Sequence, residues 1–227
     1  MKLFIDGPTE KEIDKFNKKV DGYTFNPSLF KNNGAKDYML YAKKILKKCK
    51  NKPVSIEVIA DNEKEMIYQA KLINKLGKNI YVKIPITYTN GKSTFKVINE
   101  LNSQNIKLNI TAIFTLNQIK KILPIIKNRT HILSVFVGRI YDCGKNGMEI
   151  MKQINLYVKK KSKCQTLWAS CRMSYDFVRA KKSGSDIITM SKDHINKMTK
   201  FNSSLLKYSQ KTVQQFYDDA KKAKFKI

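Results

Sequence analysis

Eight short runs rich in apolar, β-branched and aromatic residues recur along the chain: Leu3–Asp6, Tyr23–Asn26, Ser55–Ile59, Ile80–Pro85, Leu108–Ile113, Ile132–Val137, Thr166–Cys171 and Asp186–Met190. Between them the apolar residues switch to helical spacing, in Asp37–Lys48, Glu63–Leu76, Ser93–Asn102, Asn117–Ile126, Gly147–Lys160 and Ser174–Lys182. Period two marks a strand and period 3.6 a helix that buries one face. Thr9-x-x-Glu12 and Asn62-x-x-Glu65 read as capping boxes that start helices. A last amphipathic stretch, Ser209–Lys222, sets Val213, Phe216 and Tyr217 on one side. Strands alternating with helices predict an α/β fold, and eight such units predict one (β/α)8 TIM barrel over residues 1–227, with 205–227 as a C-terminal helical tail. The first turn, Asp6-Gly7-Pro8-Thr9, is no dinucleotide fingerprint, and the chain has no P-loop.

One residue breaks the pattern. Lys83 sits in Ile80-Tyr81-Val82-Lys83-Ile84-Pro85, a run that otherwise reads as a buried strand. Desolvation opposes an ammonium there, so the lysine either snorkels to water or gives up its charge. An amine without its proton is a nucleophile toward carbonyl carbon.

Barrel strands point alternate side chains inward, and chemistry gathers at their carboxyl ends. With Lys83 inward, Tyr81 and Pro85 follow. The same parity offers Asp6, Thr24 and Asn26, Glu57, Asn109 and Thr111, Ser134 and Phe136, and finally Trp168, Ser170 and Arg172. A single buried hydroxyl or amide is routinely structural. Asp6, Glu57 and Lys83 at one end of a barrel are different, because three ionisable groups so close perturb one another as an acid–base site does.

Composition changes this picture little. The 227 residues carry a formal net charge of +27, but the lysines are spread over almost every expected helix, which predicts solvated faces rather than a nucleic-acid stripe. No apolar run approaches the roughly 18 residues of a membrane span, and the early acid in Met1-Lys2-Leu3-Phe4-Ile5-Asp6 argues against a signal peptide. Cys49, Cys143, Cys164 and Cys171 match no zinc spacing and read as free thiols of a cytoplasmic protein. His131 and His194 fall in no metal-binding pattern and read as surface or loop residues, so neither a metal nor any other cofactor is expected.

A lysine amine, carboxylates for proton transfer and a hydroxyl to hold a water suit iminium chemistry on a ketone. The residues also carry a family resemblance. Leu-Phe-Ile-Asp6, Thr24-Phe25-Asn26-Pro27-Ser28, Ile-Glu57-Val, Val82-Lys83-Ile84-Pro85-Ile86-Thr87, Asn109-Ile110-Thr111, Ser134-Val135-Phe136-Val137-Gly138-Arg139 and Trp168-Ala169-Ser170-Cys171-Arg172 fall in the order of the small transaldolases. The chain resembles that family, with its fructose-6-phosphate aldolases, over nearly its whole length.

The resemblance implies Lys83 as the Schiff-base lysine and Asp6 as the proton-transfer group, with Glu57 and Thr111 holding the catalytic water. Thr24 belongs to the same strand-end motif as Asn26. Asn26 and Asn109 would bind donor hydroxyls, Ser134 would lie near the dihydroxyacetone unit, Arg139, Ser170 and Arg172 would take the acceptor phosphate, and Phe136 would be a further substrate-binding residue. Glu57 and Phe136 follow the transaldolase branch, since the aldolase branch has glutamine and tyrosine there. Phe25, Val135, Cys171 and the Gly7-Pro8 pair depart from the family pattern and bear on acceptor preference. The expected partners are sugar-phosphate substrates and further copies of the chain, in a homo-oligomer that the family makes ring-shaped; no membrane is expected. The competing expectations are a fructose-6-phosphate-type aldolase and a barrel without catalysis that binds a polyanion.

Overall fold

In the computed structural model, which describes residues 1–226, all eight strands form and close on themselves. They are β1 (Lys2–Asp6), β2 (Gly22–Thr24), β3 (Val54–Glu57), β4 (Ile80–Pro85), β5 (Leu108–Ile113), β6 (Ile132–Val135), β7 (Gln165–Trp168) and β8 (Ile187–Met190). Every pairing is parallel, neighbours follow chain order, and β8 pairs with β1 to complete the barrel. The helices around it are α1 (Glu10–Phe16), α2 (Pro27–Asn32), α3 (Tyr38–Cys49), α4 (Glu63–Asn74), α5 (Phe95–Ser103), α6 (Leu116–Ile126), α7 (Val137–Asp142), α8 (Gly147–Lys161), α9 (Asp176–Ser183), α10 (Lys192–Lys197) and α11 (Leu205–Ala223). None among the described residues is long and apolar enough to cross a membrane.

The capping signals act unequally. Thr9 and Glu12 form both reciprocal bonds of the box that starts α1. Asn62 accepts from the Glu65 N–H, but the return bond is absent, so α4 starts with a simple cap. The short helices α2, α7 and α10 were not expected from periodicity, because six residues hold too few turns for a stripe.

Two hydrophobic layers follow from strand parity. Outward side chains such as Ile5, Ile56, Val82, Ile84 and Leu108 join the helices in the larger core. Phe4, Ile132, Leu167, Ala169 and Ile187 fill the barrel interior. Each withdrawn side chain of Ile or Leu size contributes roughly 1.5–3 kcal/mol. A one-residue slip would reverse every face, so the register is strongly held. Gly22 serves the inner layer by its emptiness: a Cβ there would stand 2.6 Å from the Phe4 ring.

Strand seven corrects the expected parity. Trp168 belongs to the outer core, 6.4 Å from the Tyr141 ring, while Leu167 and Ala169 point into the barrel. The chain returns to the cavity at Ser170 by adopting a left-handed φ of 62°. Strand five makes a similar break. Ala112 has φ 57°, the β5–β6 register shifts between Ile110 and Ile113, and Ile113 is thereby turned to the outer core. Such irregularities re-aim side chains at barrel rims.

His131 is also corrected. It is buried, its Nδ1 accepts the Leu108 N–H at 3.1 Å, and Nε2 lies 2.9 Å from Asn102 Oδ1. It is a structural tie at the amino end of β5. His194 is half-buried near the start of α10.

Candidate active site

The carboxyl ends of the strands surround a cavity of about 210 Å³, lined among others by Asp6, Thr24, Asn26, Lys83, Thr111 and Ser134. Lys83 comes from the middle of β4 and is 5% exposed. Its Nζ lies 2.9 Å from Glu57 Oε2 and donates to the Phe25 carbonyl at 3.2 Å. The pairing follows from register, because Glu57 on β3 is the direct neighbour of Lys83 on β4. Glu57 does not line the main cavity. It reaches the lysine from the side and borders a smaller pocket of about 110 Å³ with Tyr38 and Met39. The Tyr38 hydroxyl donates to the Glu57 carbonyl at 2.6 Å, fixing that strand end.

Asp6 is held by a hydroxyl chain. Thr24 donates to Asp6 Oδ1 at 2.6 Å, and since a hydroxyl has one proton, its 2.6 Å contact with Thr189 must be donated by Thr189. Burial raises the Asp6 pKa above the usual carboxylate value; the Lys83 charge and the Thr24 bond oppose this, and Glu57 adds to it. A carboxyl whose ionisation is pushed toward neutrality suits proton exchange.

Thr111 lines the cavity with its Oγ1 buried and without a protein partner. A hydroxyl in that state has its hydrogen-bonding capacity free for a ligand or water. Asn26 lines the cavity while its Oδ1 caps α2 through the Leu29 N–H at 2.9 Å. Asn109 lies deeper. Its amide donates to Ser55 at 3.0 Å and accepts from Ser134 at 2.7 Å, so it positions Ser134, which lines the cavity in its place.

Phe136, Arg139, Ser170 and Arg172 complete the opposite wall. Arg139 lies over the Phe136 ring at 5.3 Å. Arg172 forks onto Asp142, with Nε 3.1 Å from Oδ1 and Nη2 bonded to Oδ2. Helix α7 can press against the Ser170 carbonyl only because residue 138 is glycine, where a Cβ would fall 1.6 Å from that oxygen.

The cavity therefore gathers the lysine, the acid, the free hydroxyl and two arginines, with Glu57 and Asn109 acting from behind its wall. Thr189, Ser191 and Cys171 also line it and were not singled out as site residues. Alternation through Ile187-Ile188-Thr189-Met190 could have found Thr189. Cys171 stands out in the sequence only as a departure from the family motif; its thiol donates to the Thr189 carbonyl at 3.2 Å, and burial drives its pKa well above the ordinary thiol value.

The sequence profile of the Transaldolase/Fructose-6-phosphate aldolase family matches residues 3–227. The chain belongs to that family. Relatives named "Probable transaldolase" include one from Methanococcus vannielii, 36% identical over 208 residues, covering 90% of this chain and 92% of the relative. Another from Bdellovibrio bacteriovorus is 34% identical over 229 residues and covers both chains in full. Among solved structures, N-acetylneuraminate lyase from Mycoplasma synoviae aligns over 96% of this chain and 80% of its own, with TM-score 0.57 and 15% identity. A mandelate oxidase mutant aligns over 83% and 64%, with TM-score 0.57 and 12% identity. At such identities these two share the barrel fold only. Membership of the transaldolase/fructose-6-phosphate aldolase family makes this chain an aldolase-type enzyme.

Proposed function

We propose that this family member is a transaldolase that moves a dihydroxyacetone unit between sugar phosphates through an iminium on Lys83. The observation that carries this reading is the buried Lys83 Nζ at 2.9 Å from the Glu57 carboxylate, at the wall of a cavity that Asp6 and Thr111 share. The amine, having passed its proton toward Glu57, adds to the donor carbonyl. The carbinolamine then loses water to give an iminium, with Glu57 and Thr111 holding that water. The iminium draws electrons from the bond between its α and β carbons as Asp6 takes the proton of the hydroxyl on the β carbon. That bond breaks to leave an enamine on Lys83 and a free aldehyde. The enamine attacks the acceptor aldehyde, Asp6 returns the proton to the new hydroxyl, and water releases the product ketose. Each proton move needs a group within one hydrogen bond or one water of the reacting atom. Arg139 and Arg172 lie on the wall where a guanidinium pair would take the phosphate, a geometry guanidinium groups match bidentately.

Aldol cleavage without transfer is the second reading. Phe136 favours transfer, since it offers no hydroxyl to protonate a waiting enamine, unlike the tyrosine of the aldolase branch. Borohydride with a donor ketose should fix label on Lys83 and leave Lys83→Met unlabelled; label elsewhere removes both readings. Donor consumption that runs equally fast without erythrose 4-phosphate removes the transferase reading alone. The exposed Leu205, Leu206, Val213 and Phe216 of α11 support a homo-oligomer in which this helix packs on another copy. Light scattering on the intact chain and on one ending before residue 205 tests this.

A further inference from the structure

The phosphate wall contains a carboxylate that neither the chemistry nor the family resemblance accounts for. Asp142, at the last turn of α7, takes the Nε–Nη2 edge of Arg172, a residue thirty positions later in the chain. Arg172 is anchored at a second point. Its backbone N–H donates to Asp176 Oδ2 at 2.7 Å, the Met173 N–H donates to the same oxygen at 3.2 Å, and Arg179 pairs with Asp176 Oδ1 at 3.3 Å. Asp176 is fully buried, so the main chain at 172–173 is fixed from below. Only the arm of Arg172 is left to be set, and half of it is exposed to water.

We infer that Asp142 is a positioning residue that presets the arm of Arg172, presenting the remaining Nη1 edge to the phosphate of an incoming substrate. A guanidinium carries five donors in a rigid fork, so filling one edge orients the other. A long arginine side chain left free must be ordered when the ligand binds, which weakens binding. The Arg172 bond holds the Asp142 carboxyl below its usual pKa, so the clamp keeps its charge through the neutral range. Asp142 also sits on the same short helix as Arg139, and that helix meets the Ser170 carbonyl at Gly138. Both arginines are thus referenced to one rigid contact.

This inference rests on the reading of the wall as a phosphate site, and the test separates the two. Asp142→Ala and Asp142→Glu are compared with wild type in transfer to a phosphorylated acceptor, glyceraldehyde 3-phosphate, and to unphosphorylated glyceraldehyde. Inorganic phosphate is titrated as an inhibitor in parallel. The expected result for Asp142→Ala is a KM for the phosphorylated acceptor raised by about two- to tenfold. Inhibition by phosphate should weaken by the same factor, while kcat and the unphosphorylated reaction stay as in wild type. Asp142→Glu should recover most of the loss. The positioning role is overturned if Asp142→Ala matches wild type while Arg172→Met loses the preference for the phosphorylated acceptor. It is equally overturned if Asp142→Ala tightens phosphate, because the carboxylate would then be a competitor. A wild-type enzyme indifferent to acceptor phosphorylation overturns the phosphate reading together with this one.

Discussion

Replacing His131 with asparagine should remove a large part of the acid sensitivity of this barrel. In the folded chain His131 is neutral, with Nδ1 accepting the Leu108 N–H and Nε2 directed at Asn102. Burial, reinforced by Arg129, lowers its pKa from 6.5 to about 4. A base with a depressed folded pKa binds fewer protons when native than when unfolded. Its contribution is therefore fully present above pH 6.5 and is lost as pH falls toward the folded value. At pH 5 the unfolded histidine is protonated and the native one is not, a difference of about thirtyfold in the binding polynomials, or about 2 kcal/mol. Protonation of Nδ1 would also strip the acceptor from the start of β5, the strand that carries Asn109 and Thr111. Asparagine keeps an acceptor near the Nδ1 position and does not titrate. Urea unfolding of both proteins at pH 7.5 and pH 5.0 gives four free energies. Wild type should lose about 2 kcal/mol more than His131→Asn between the two pH values, whatever the variant costs outright. Equal losses would refute the argument, and so would a titration of His131 centred near 6.5.

Asp6→Asn should stabilise the fold at neutral pH, because a carboxyl with a raised folded pKa costs stability once pH passes its ordinary value of 3.8. That gain should vanish in denaturation curves taken below pH 3.8, while turnover falls by about 10²–10⁴. Thr111→Val removes a hydroxyl that has no protein partner, so unfolding should change by less than about 1 kcal/mol while turnover drops at least about tenfold; a large stability loss with unchanged turnover would make Thr111 structural. Gly138→Ala places a Cβ 1.6 Å from the Ser170 carbonyl, and overpacking of this kind costs about 1–3 kcal/mol. Thermal unfolding should show that loss, and the KM for phosphorylated acceptors should rise more than that for unphosphorylated ones.

What was legible in the sequence follows from periodicity. Strand positions, the closed barrel and the inward set of Lys83, Asp6, Thr24, Thr111 and Ser134 came from alternation, because a strand's side-chain period is fixed by backbone geometry. Where the backbone leaves that geometry, alternation fails. Trp168 read as inward, yet the chain turns at Ser170 with φ 62° and the tryptophan packs outside. His131 read as a loop residue because no local pattern records that Asn102 and the Leu108 N–H await it from other elements.

By itself the sequence determined the order of elements, the face each strand buries and the chemistry available at one end of a barrel. These are local properties, set by backbone periods and by the cost of burying charge. Only the tertiary structure decided which of those groups share a cavity. It put Glu57 and Asn109 behind the wall, brought Thr189 to Thr24 and Asp6, and fastened Arg172 to Asp142. Those contacts join residues far apart in the chain, and their distances depend on register and helix packing, which no single segment encodes.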